Sequence, residues 1–134
     1  MLKKISHIGI AVKSLDEAIP FYRDNLGMVF QGIEEVPEQR VKVAFFLVGE
    51  SKIELLEPSS AGSPVAGFLE KNGPGPHHIA YEVDDIGAAI VKLEADGMRM
   101  IDKAPRQGAH GALIAFLHPK SSHGVLTELC QSAH

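Results

Sequence analysis

Four side chains combine imidazole and carboxylate chemistry at matched places in the sequence: His7, Glu54, His78 and Glu128. Neutral imidazole and ionised carboxylate suit Zn, Co, Ni, Mn or Fe(II), and the lack of a thiolate argues against a structural zinc site. The matching arises from an internal repeat. Residues 7–19 read HIGIAVKSLDEAI and residues 78–90 read HIAYEVDDIGAAI, which aligns His7 with His78, Ile8 with Ile79, Val12 with Val83 and Ala18-Ile19 with Ala89-Ile90. The copies also close alike, KIELLEP carrying Glu54 and GVLTELC carrying Glu128. A single histidine or glutamate on a strand is commonly a hydrogen-bonded core group or a solvated one. Four of them repeated across two related halves meet the requirement of a pseudo-twofold metal site.

The elements that must position these residues follow from pattern. Ile5 to Val12 is apolar and β-branched and predicts a strand. Ser14 to Glu17 forms a capping box, and Ala18, Ile19, Tyr22 and Leu26 recur at helical spacing up to Gly27, with Pro20 predicting an irregular helix start. Met28 to Val36, Arg40 to Val48 and Lys52 to Glu57 predict three strands, the last two joined by a tight turn at Gly49-Glu50-Ser51. Ser63-Pro64 opens a linking helix over Val65 to Lys71, and the Gly/Pro-rich run from Asn72 to Pro76 reads as irregular. The second copy predicts a strand from His77 to Val83 and a helix capped by Asp85 and stopped at Gly97. Strands over Met98 to Asp102, Ala112 to Leu117 and Val125 to Cys130 complete it. The expected class is α+β, two tandem βαβββ modules, with module one at 1–60, a linking segment at 61–76 and module two at 77–134.

Strand alternation decides which way the candidates point. Ile8, Ile10 and Val12 share an apolar face suited to packing on a helix, as do Ile79, Tyr81 and Val83. The opposite faces carry His7, Gly9 and Ala11, and His78, Ala80 and Glu82, where a small residue beside each histidine leaves room. Both the repeat and this parity select His78 over its neighbour His77. His110, His118, His123 and His134 have no partner in the first copy and read as loop or surface residues.

Composition narrows the function classes. The chain has 134 residues, 45% apolar and 22% charged, and each half alone is too short to bury a sufficient core. Shared burial or a homodimer is expected. A net charge of -4 without a basic run argues against nucleic acid. There is no apolar stretch of membrane length, and the N-terminus lacks a signal-peptide pattern. The single cysteine, Cys130, excludes an intrachain disulfide, reads as a buried apolar residue and fits a cytoplasmic protein.

Tandem βαβββ modules with His and Glu at these places resemble the vicinal oxygen chelate superfamily (the glyoxalase, bleomycin-resistance and dioxygenase proteins). HIGIAV, KIELLEP, GPHHIAYEVDD and above all FLHPKSSHGVLTEL resemble the methylmalonyl-CoA epimerase family, over nearly the whole chain. The resemblance implies a cup-shaped mixed sheet around one divalent metal ion per chain (Co, Zn, Mn or Ni), with His7, His78, Glu128 and Glu54 as ligands. The position of Glu54 is glutamine in some relatives. The implied reaction inverts C2 of an acyl-CoA thioester, methylmalonyl-CoA, between (2R) and (2S) by proton abstraction. Some relatives carry a glutamate in the third strand, proposed as one of two bases, where this chain has Val43. Glu128 is then one base and Glu54 the candidate for the other, with Glu82 behind it. Lys71 and Lys120, read as loop residues, are candidates for CoA phosphates, although surface lysines are usually only solvated. Two alternatives stay open from sequence: a glyoxalase I-type lactoylglutathione lyase, and a metal-free binding or resistance protein of the same fold.

Overall fold

The computed structural model describes residues 1–133, so the reading of His134 falls outside the described residues. The elements in order are β1 (Leu2–Ala11), α1 (Leu15–Pro20), β2 (Val29–Val36), β3 (Val41–Val48), β4 (Ser51–Pro58), α2 (Pro64–Asn72), β5 (Gly75–Val83), α3 (Ile86–Ala95), β6 (Arg106–Gln107), β7 (Leu113–Leu117) and β8 (Thr127–Gln131). The chain forms two compact units. The first is His7–His77, and the second joins Met1–Ser6 to the chain from His78 onward.

In the first unit the strand order is β2-β3-β4-β1. β1 pairs with β4 in parallel, and β2, β3 and β4 are antiparallel. One face of this sheet packs on α1 through Val12, Leu15, Ile19, Ala44, Phe46 and Leu55. The other face buries Val41, Val43, Phe45 and Leu56. Phe45 and Phe46, adjacent in sequence, therefore anchor opposite faces, as strand alternation demands. Full burial of such side chains contributes roughly 1.5–3 kcal/mol each.

The second unit has the order β1-β5-β8-β7-β6, the N-terminal half of β1 serving here. β5 and β8 are parallel, and β6, β7 and β8 are antiparallel. Val83, Ile86, Ala89, Ile90, Met100, Ala115, Leu117 and Leu129 form the core beneath α3. Ile114, Phe116 and Cys130 are buried on the opposite face. Each unit is a βαβββ arrangement, and the class is α+β.

Several elements depart from the sequence expectation. The irregularity near Pro20 lies after it rather than at the helix start. It ends α1, and Phe21–Asn25 forms a wider π-helical turn in which the Leu26 N–H donates to the Phe21 carbonyl at 2.9 Å. The missing N–H and the crowding of the proline ring both act on the turn before Pro20, whereas the wider hydrogen bonding lies in the turn after it. β5 begins inside the Gly/Pro-rich run, at Gly75. A proline is tolerated in the first residues of a strand because no ladder donor is needed there. Met98 to Asp102 is not a strand; it contributes only a bridge between Met100 and Leu117, and the strand in its place is the two-residue β6. β8 starts at Thr127 instead of Val125, because Ser122 to Val125 is held in a turn by Ser122 Oγ bonding the Val125 carbonyl at 2.5 Å. No helix among the described residues is long and apolar enough to cross a membrane.

Candidate functional site: two matched imidazole–carboxylate pairs

Each unit fixes its helix to its closing strand by the same device. Ser14 caps α1 by accepting the Glu17 N–H at 3.3 Å, and Asp85 caps α3 by accepting the Ala88 N–H at 3.0 Å. The first helical N–H of α1, on Leu15, donates to the Glu57 carboxylate at 2.8 Å. Its counterpart in α3, on Ile86, donates to the Gln131 side-chain oxygen at 2.8 Å. Glu57 and Gln131 each lie three residues after the candidate glutamate of their strand. Two helix donors that would otherwise be orphaned thus lock the strands bearing Glu54 and Glu128 in register.

The registers are equivalent. Gly9, two residues beyond His7, pairs with Glu54, and Ala80, two residues beyond His78, pairs with Glu128. On its other side Glu54 pairs with Phe45, and Glu128 with Phe116. Each glutamate therefore stands between a small residue and a phenylalanine, with the histidine diagonal to it on the same face. The small side chain is what lets imidazole and carboxylate meet. His7 Nδ1 lies 3.2 Å from Glu54 Oε2, and His78 Nε2 lies 3.2 Å from Glu128 Oε1.

Three of the four groups are buried, and Glu54 keeps 12% of its side chain exposed. His7, His78 and Glu128 are 6%, 5% and 3% exposed. His78 also meets the Phe116 ring edge-on, with centroids 5.5 Å apart. Taking an ionised carboxylate out of water costs several kcal/mol unless its partners compensate. Buried carboxylates of this kind are frequent in sites that do chemistry. Two donors bound to one ion at about 2.0–2.2 Å stand about 2.8–3.6 Å apart for bond angles between octahedral and tetrahedral. Each 3.2 Å pair fits one edge of such a coordination shell, and imidazole plus carboxylate is an appropriate donor set for a divalent transition metal.

The remaining candidates are placed as follows. His77 points away from the Glu128 face of β5 and stands edge-on to Phe68 of α2, with centroids 5.0 Å apart. Val43 is buried on the Glu54 face, opposite Leu56 on one side and Glu34 on the other. Glu82 is engaged by the Ser132 hydroxyl and by Lys3 Nζ at 3.8 Å. Lys71 lies in the last turn of α2 rather than in a loop, and Lys120 lies in the turn after β7. His110 sits in a short 3-10 turn with φ +55°. His118 accepts the Lys120 N–H at 3.1 Å, and its pKa is lowered by desolvation, then by the charges of Arg99 and Lys120.

Sequence reasoning did not single out Arg106 and Asp102. Arg106 pairs with Ile114, which pairs with Cys130, so its side chain lies on the Glu128 face of the second unit. The guanidinium carbon is 5.7 Å from the Phe116 ring centroid. No sequence signal marks it, because β6 is only two residues long and shows no alternation.

Comparison with known proteins gives a consistent picture. The sequence model of the Glyoxalase/Bleomycin resistance protein/Dioxygenase superfamily matches residues 6–116. The ethylmalonyl-CoA/methylmalonyl-CoA epimerase of Cereibacter sphaeroides is 45% identical over 133 residues, 98% of this chain and 99% of its own. The mitochondrial methylmalonyl-CoA epimerase of Mus musculus is 42% identical over 132 residues, 98% of this chain and 74% of its own. A solved methylmalonyl-CoA epimerase in complex with methylmalonyl-CoA and NH4+ superposes with a TM-score of 0.96 at 42% identity, covering 99% of this chain and 96% of that one. Repeat, register and likeness agree that the chain belongs to the Glyoxalase/Bleomycin resistance protein/Dioxygenase superfamily and, within it, to the methylmalonyl-CoA epimerase family.

Proposed function

We propose that this chain catalyses the divalent-metal-dependent epimerisation of methylmalonyl-CoA at C2, and that His7, His78, Glu128 and Glu54 hold one ion per chain. The observation that carries this reading is the burial of each histidine against a carboxylate in equivalent registers of a chain from the epimerase family.

The C2 hydrogen lies between a thioester carbonyl and a carboxylate, so its removal places negative charge mainly on the thioester oxygen. A bound divalent ion supplies electrostatic stabilisation of that charge and a fixed point for the substrate. The chain's own residues do the rest. Glu128 takes the proton from one face of C2, and Glu54 delivers one to the other face. Each transfer is typically worth about 10² to 10⁴-fold. Val43 has no proton to give, and in this reading the second transfer falls to Glu54, with Glu82 behind it. Phe45 and Phe116, the ladder partners of the two glutamates, are themselves buried. The chain works as a homodimer in this reading. β2 is an edge strand that exposes Val29 and Ile33, and pairing of two copies would cover such a surface.

One set of measurements on purified protein tests the reading: metal per chain, mass by light scattering at micromolar concentration, and NMR interconversion of (2R)- and (2S)-methylmalonyl-CoA. The expected results are one divalent ion per chain, a dimer mass, and epimerisation that stops on chelation. Full activity in metal-free protein would overturn the metal role. Absence of interconversion with metal bound would overturn the reaction, and a monomer mass would overturn the dimer.

A further inference from the structure

We propose that Arg106 binds the free carboxylate of the acyl-CoA substrate and so selects malonyl-type thioesters over simple acyl thioesters. This rests on the epimerase reading above and adds a specificity residue to it.

Four observations within the second unit converge. The strand register places Arg106 on the face that carries His78 and Glu128. Its guanidinium lies over Phe116, 5.7 Å from the centroid, and the Phe116 ring meets His78 edge-on at 5.5 Å, so one aromatic ring separates the cation from the imidazole. Asp102 holds this arrangement from both sides. One carboxylate oxygen lies 3.1 Å from Arg106 Nε, and the other accepts the Phe116 backbone N–H at 2.9 Å. The contact with Nε is close but not aligned as a hydrogen bond, and that N–H has no aligned acceptor among the described residues. Asp102 therefore orients the guanidinium without exhausting its five donors. The side chain remains 37% exposed, open to an incoming anion.

Carboxylate recognition suits this geometry. A planar guanidinium pairs with a carboxylate through two parallel N–H bonds, and stacking on an aromatic face fixes its plane. The apolar residues of the Glu128 face, Ala112, Ile114, Phe116 and Leu126, offer an anion no charged hydrogen bond. Lys3, another cation of this unit, is 58% exposed and stands by Glu82. A substrate whose reacting carbon is served by Glu128 would carry its own carboxylate near that carbon and within a ring's width of Arg106. The nucleotide phosphates would lie a whole pantetheine arm away.

The test compares binding of malonyl-CoA, propionyl-CoA and CoA by titration calorimetry to wild type, Arg106→Ala, Arg106→Lys and Asp102→Asn, with metal content and thermal melting recorded for each. Wild type should prefer malonyl-CoA to propionyl-CoA. Arg106→Ala should bind malonyl-CoA about 10- to 100-fold more weakly, the range of a charged hydrogen bond, and propionyl-CoA and CoA unchanged. Arg106→Lys should recover part of the preference, and Asp102→Asn should lose a smaller part. Equal weakening of all three ligands would identify a phosphate contact and overturn the proposal. So would a wild type without carboxylate preference, or a melting change in Arg106→Ala with affinities intact, which marks a purely structural residue. A preserved carboxylate preference without turnover of methylmalonyl-CoA would sink the epimerase reading and leave the Arg106 assignment standing.

Discussion

In the first unit the imidazole meets its carboxylate through Nδ1, and in the second through Nε2, although both histidines precede the small partner of the glutamate by two residues. The backbone is repeated while the side-chain chemistry diverges. Glu54 is 12% exposed at its side chain and Glu128 only 4%. The helix of the first unit loosens into a π turn, whereas α3 stays regular. The edge strands differ most. β2 has eight residues and places Glu34 opposite Val43, while β6 has two and places Arg106 opposite Ile114. Equivalent ladder positions thus carry opposite charges. A duplicated scaffold has kept the registers that seat a His–Glu pair and released the surrounding positions, which suits a reaction whose substrate has two faces and one carboxylate.

Removing the imidazoles tests whether the two halves are equally necessary and should have the largest effect. His7→Ala and His78→Ala should each lower metal affinity by more than the about 10- to 100-fold typical of groups one layer out from an ion. His77→Ala should retain metal. Metal retained by His78→Ala and lost by His77→Ala would mean that the second strand works one residue out of register, and every face assignment on it would invert.

Glu54→Gln probes the division of labour between the carboxylates. An amide oxygen can still ligate, so metal should stay, while inversion falls by about 10² to 10⁴-fold because an amide does not shuttle protons. In D₂O one epimer should still exchange its C2 hydrogen with retention through Glu128. NMR of each epimer, with metal content in parallel, reads both outcomes; near-normal inversion by the metallated variant removes Glu54 from proton transfer. Glu128→Gln should abolish the exchange that Glu54→Gln preserves.

The smallest effects concern the helix ties. Glu57→Ala removes a charge-assisted bond and Gln131→Ala a neutral one, both to a first helical N–H. Losses of about 1.5–3 and 0.5–1.5 kcal/mol are expected respectively, read from urea midpoints at constant slope. Equal losses would show that the charge on Glu57 contributes nothing at that helix end.

Much of this organisation was legible in the chain itself. The repeat aligned His7 with His78 and Glu54 with Glu128, because a duplicated unit leaves the same residue types at the same steps of the same strands. Alternation then separated His78 from His77, a distinction visible in the structure as one ring against Phe116 and the other against Phe68. Caps at Ser14, Ser63 and Asp85 were readable because each rests on a hydrogen bond spanning two or three residues. Pro20 announced a disturbance, but not that the wider hydrogen bonding would lie in the turn after it.

What lay beyond the sequence were contacts between residues far apart in it. The bonds from Leu15 to Glu57 and from Ile86 to Gln131 span 42 and 45 residues, and no local pattern predicts them. β6 and the role of Arg106 were invisible for the same reason: two residues show no periodicity, and the face they occupy is set by their partner strand. Sequence alone determined the kinds of groups and the strands that carry them, because periodicity and repetition are properties of the chain. Tertiary structure decided which nitrogen meets which carboxylate and which cation shares the face of Glu128, because those are properties of registers fixed only when distant strands pair.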